Sequence, residues 1–173
     1  MSDQIVIPVA MNFLGAATFR VINLPAGAVG DAEVKAAAGL AASKLEHQHA
    51  IRYAQADGSD VAAATEAVYT VRGVTGTIEA VQAACLTAPT GGDKAFTVDL
   101  KLGNEGSPVP ASVLSAPIAY AAAQSDLEVE AGTITSPDLA AGDTLAVVVA
   151  VSGSTGSQGQ GLIVTITLRE DAD

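Results

Sequence analysis

The chain has no tryptophan, three phenylalanines and three tyrosines, although about half of its residues are apolar. Alanine makes up the excess, and it contributes little on burial, whereas a buried Leu or Val contributes roughly 1.5–3 kcal/mol. The core is therefore expected to be thin, or completed by a second chain as in obligate oligomers. Sugar-binding modules stack their ligands on Trp or Tyr, so the shortage of aromatics argues against one. Basic residues are few as well, with 8 Lys and Arg against 19 Asp and Glu, a formal net charge of −11. That surface repels phosphate backbones and anionic membranes, so neither nucleic acid nor a membrane is an expected partner.

A single cysteine, Cys85, excludes an intramolecular disulfide. It lies among apolar strand residues and reads as a buried, inert thiol. No apolar run is long enough to span a bilayer. Met1-Ser2-Asp3-Gln4 lacks a basic leader, and the next apolar run is soon broken by Pro8. Synthesis in a cytoplasm is the expectation.

Residues 1–30 read as an extended apolar arm, with Pro8 marking an edge strand or strap. The arm carries Phe13 and Phe19, and apolar side chains ahead of a domain need a surface to cover them. Residues 31–65 read as a helical junction and linker. Asp31 is a helix N-cap, and Val34, Ala38, Ala41 and Leu45 form a narrow stripe of mostly small residues. Phe13, Phe19, Val34, Ala38, Ala41 and Leu45 are thus the candidate interface residues.

From 66 to 173 the chain alternates as strands do. Phe96, Val98, Leu100 and Leu102 alternate with Thr97, Asp99 and Lys101; Leu145, Val147, Val149 and Val151 follow the same rule. The last strand is expected to turn Leu162, Val164, Ile166 and Leu168 inward. Ala67, Tyr69 and Val71 alternate with Glu66, Val68 and Thr70. A bulge is expected near Gln82-Ala83-Ala84. Leu127, Val129 and Ala131 alternate with Asp126, Glu128 and Glu130, which predicts a further strand. Strands at regular spacing without intervening helices define a mainly β fold, an antiparallel β-sandwich of jelly-roll-like or immunoglobulin-like type.

Candidate chemistry is sparse. His47 and His49 share a face of an extended segment and can reach one metal ion. Two ligands do not close a site in one chain, but a three-fold axis would multiply them to six. Asp126, Glu128 and Glu130 can be read as calcium ligands or as a solvated strand face that discourages edge pairing. Gly156 to Gly161 lacks the Lys-Ser/Thr of a phosphate loop. Neither a nucleophile–base arrangement nor a cofactor motif is legible, and no enzymatic function or cofactor is expected.

Val34, Ala37-Ala38, Leu40 and Ser43-Lys44-Leu45 resemble a segment that recurs in structural and fibre proteins of tailed bacteriophages. The acidic, alanine- and glycine-rich sandwich behind an extended arm is similar to the capsid decoration (cement) proteins of such phages. The resemblance implies a virion protein made in the host cytoplasm, placed on the capsid surface as a homotrimer and bound to the major capsid protein. The alternative is a tail, fibre or receptor-binding protein that recognises a host-surface glycan.

Overall fold

Side-chain alternation along ten strands builds two antiparallel five-stranded sheets, each hydrophobic on one face. The computed structural model describes residues 47–72, 75–105 and 110–171; the expected arm and helix, with Phe13, Phe19, Val34, Ala38, Ala41 and Leu45, lie outside them. The strands are β1 (His47–Ala54), β2 (Ala64–Thr70), β3 (Gly76–Thr87), β4 (Ala95–Gly103), β5 (Ala111–Ser112), β6 (Ile118–Tyr120), β7 (Glu130–Ala131), β8 (Asp138–Leu139), β9 (Thr144–Ser152) and β10 (Gln160–Glu170). The first sheet runs β1-β10-β3-β7, with β8 also on β3; the second runs β2-β9-β4-β5, with β6 also on β4. The antiparallel β-sandwich read from the sequence is therefore the observed fold. It reaches back to His47, because β1 pairs along its whole length with β10.

The inward rows of both sheets meet in one cluster that holds Val98, Leu145, Val147, Leu162, Val164 and Ile166 at full or nearly full burial. Aliphatic side chains meet the shortage of aromatics, and the described interior closes within one chain. The expected inward faces of β4, β9 and β10 are observed, apart from Val151, which is 41% exposed at the end of β9.

Two readings shift by a residue or more. In β2 the register slips between Ala67 and Tyr69, so Val68 is an extra residue. Val68 and Tyr69 both pack on the core while Ala67 is exposed. In β3 the slip lies opposite Thr167/Leu168, where Glu79 is the extra residue, rather than near Gln82-Ala83-Ala84. A bulge changes which parity faces inward, and either site satisfies the apolar pattern.

Tyrosine side chains tie the sheets together at both borders. Tyr120 on β6 is fully buried, stacks on Phe96 at 4.9 Å, and donates to the carbonyl of Ala83 on β3 at 2.5 Å. At the opposite border Tyr69 on β2 donates to Glu170 Oε1 on β10 at 2.5 Å.

One end of the sandwich is closed by the β3–β4 and β9–β10 loops, which pair at Thr90 and Ser157. Asp93 Oδ1 accepts the Ser154 N–H (2.9 Å), the Thr155 N–H (2.7 Å) and the Thr155 hydroxyl (2.8 Å). Chiefly through the Thr155 backbone bond, these donors hold the Asp93 carboxyl down to about 2, against an ordinary 3.8. Because the folded value is the lower one, this contribution is present above pH 3.8 and is lost as pH falls towards 2. Denaturant midpoints measured across that window should fall less steeply in Asp93→Asn than in the parent. Equal slopes would show that the clasp does not hold the ionised form.

Candidate functional site

β1 begins at His47 and brings His49 to the border of the first sheet. The β1–β10 register sets His49 opposite Leu168, one turn of the pleat from Glu170. His49 Nε2 lies 3.3 Å from Glu170 Oε2, and its ring is tilted 38° to that of Tyr69 at 5.9 Å. Glu170 thus receives Tyr69 on one oxygen and His49 on the other. The Tyr69 bond, more than the His49 charge, pulls the Glu170 carboxyl below its usual range. Burial first, and the bond to Glu170 second, push the Tyr69 hydroxyl up to about 12. The arrangement is a hydrogen-bonded staple between sheets, with both carboxylate oxygens occupied.

The expected histidine pair is placed only in part. His47 and His49 are two apart on β1, but the His47 side chain lies outside the described part. No group of three or more His, Cys, Asp or Glu side chains stands ready for a metal among the described residues. Sequence reasoning passed over Tyr69 and Glu170, which are 101 positions apart. One signal was available. Glu170 continues the inward parity of Leu162, Val164, Ile166 and Leu168, so an acid was due at the inner edge of the sandwich.

The acidic segment differs from its expected strand. Only Glu130 and Ala131 pair with β3, opposite Ala83 and Gln82. Leu127 adopts a left-handed backbone, φ 60°, and ends the alternation. Leu127 and Val129 are exposed, at 64% and 59%, where the strand reading put them inside. Two of the acids accept backbone N–H groups: Asp126 Oδ1 that of Ala88 on the β3–β4 loop at 2.8 Å, and Glu128 Oε2 that of Ser125 at 2.6 Å. They do not converge on one point to supply the several oxygens that calcium takes, and no such group is found among the described residues. Cys85 is buried, as expected, and burial followed by the Asp126 charge pushes its thiol up to about 11. It is a poor nucleophile at neutral pH.

What this region offers is a surface. Leu127 donates its N–H to the Cys85 carbonyl at 2.9 Å, which sets it beside Leu86, itself 45% exposed. Val129 precedes Glu130, the partner of Ala83, and so stands beside Ala84 on the outer face. Ala84 pairs with Ile163 and Ile163 with Ala54, which carries the apolar row across to β1. The result is an apolar strip on the outside of the first sheet. No family model matches the chain, and neither does a curated protein or a solved structure.

Proposed function

We propose that the chain is a structural virion protein of a tailed phage that binds the outer capsid surface and cements neighbouring capsomers as a homotrimer, with the major capsid protein as its partner. The observation that carries this reading is the outer face of the first sheet, where Leu86, Leu127 and Val129 stand exposed on a strongly acidic sandwich. Exposed apolar side chains grouped on one face, rimmed by polar residues, mark surfaces where another molecule binds. The antiparallel sandwich is also the fold expected from the resemblance of the acidic, alanine- and glycine-rich part of the chain to decoration proteins. Glycan recognition by a tail or fibre protein is the weaker reading, because Tyr53 and Tyr120 are buried and Tyr69 is tied to Glu170. Antibody labelling of purified particles should place the chain on the head, and light scattering should give the mass of three chains at micromolar concentration. Labelling at the tail tip would favour the alternative, and a monomer would remove the trimer.

A further inference from the structure

Among the described residues, Leu127 alone has a positive φ without being glycine. The left-handed region brings the Cβ of an L-residue against the following carbonyl, a penalty that Gly escapes and Asn tolerates well. At 64% exposure the leucine side chain returns little burial to offset it. Folding by itself therefore gives no reason for a leucine at this position.

Its surroundings do. Leu127, Leu86 and Val129 stand at one end of the strip that continues through Ala84 and Ile163. A Cβ built on Gly161 would lie 2.8 Å from Leu86 Cβ and 3.1 Å from Asp57 Oδ1, so Asp57 stands at the same border. Asp126 and Glu128 flank Leu127 in the chain, and their carboxylates are pinned by backbone N–H donors. An apolar centre with charge around it has the layout of a protein interface, an apolar core inside a polar rim. The next outward row brings Arg52, opposite Thr165, which on its other side pairs with Gln82. A second copy docked strip to strip would set Asp57, Asp126 and Glu128 against the same acids of its partner.

We propose that Leu127, Leu86 and Val129 form the anchor for a different protein, one that presents apolar side chains ringed by Lys and Arg. This rests on the decoration reading, under which that surface belongs to the capsid subunit.

The probe is the empty shell of the parent phage stripped of this chain, mixed with the full-length protein. Leu127→Asn relieves the left-handed backbone, so it should melt at or above the parent temperature. It should nevertheless bind shells at least tenfold more weakly. Binding of the parent should weaken as salt is raised. Val151→Ser, which alters an exposed apolar side chain away from the strip, should bind as the parent does. Parent-like binding by Leu127→Asn would overturn the anchor, while the shell binding itself would still support the decoration reading. Failure of the parent to bind shells would overturn both. A parent oligomer that dissociates in Leu127→Asn would give the strip to self-association and also overturn the proposal.

Discussion

Phe96→Ala is expected to lower the unfolding free energy by about 3–5 kcal/mol, measured by urea denaturation of the full chain. Phe96 is fully buried, pairs across strands with Tyr120 and Val151, and lies nearly parallel to the Tyr120 ring, 9° apart. Losing the ring removes transfer free energy and leaves a cavity, since small aliphatic neighbours fill such a space incompletely. The stacked pair adds about 0.5–1.5 kcal/mol of its own, which places the expectation towards the upper end. The loss also reaches beyond the cavity. Tyr120 is held between Phe96 and the Ala83 carbonyl, and Glu130 donates its N–H to the Tyr120 oxygen at 3.3 Å. Loosening this tyrosine releases the segment that carries Leu127 and Val129. A cost below about 1.5 kcal/mol would mean that the site collapses freely, as a volume-conserving change does. Such a result would refute an anchoring role for the Phe96–Tyr120 stack.

The sheet interior was legible because period-two alternation is a strong signal where one face is buried. β4, β9 and β10 each run nine residues or more with little interruption. The signal failed where one extra residue enters. Val68 moves Ala67 to solvent, and Glu79 moves the bulge of β3 three positions ahead of its expected place. Neither residue type announces a bulge. The 126–131 segment misled for another reason: acids alternating with Leu and Val imitate a half-buried strand. Here Asp126 and Glu128 turn to backbone N–H donors and Leu127 takes a left-handed backbone, which pattern alone does not disclose. The His49 staple depends on a residue 121 positions away and on the β1–β10 pairing. Sequence supplied the parity of each member but not their meeting.

Gly153→Ala is expected to destabilise the protein by more than about 2 kcal/mol, while Gly58→Ala costs about 1 kcal/mol or less. Both glycines have positive φ, +84° and +76°, so the conformational penalty of adding a Cβ is similar. Their surroundings separate them. A Cβ on Gly58 meets nothing within 4 Å, whereas one on Gly153 would stand 2.2 Å from the Asp93 carbonyl oxygen and 2.6 Å from Lys94 Cα. Those are backbone atoms and cannot swing aside as a flexible side chain would. The loops must part, and the Asp93 bonds to Ser154 and Thr155 go with them. Thermal melts of the two variants side by side isolate the contact, because the left-handed penalty cancels in the difference. Equal destabilisation would leave the close approach of the loops without energetic weight. A clear excess for Gly153→Ala, joined to a loss of the acid dependence that Asp93 confers, would show that the glycine and the aspartate hold one clasp.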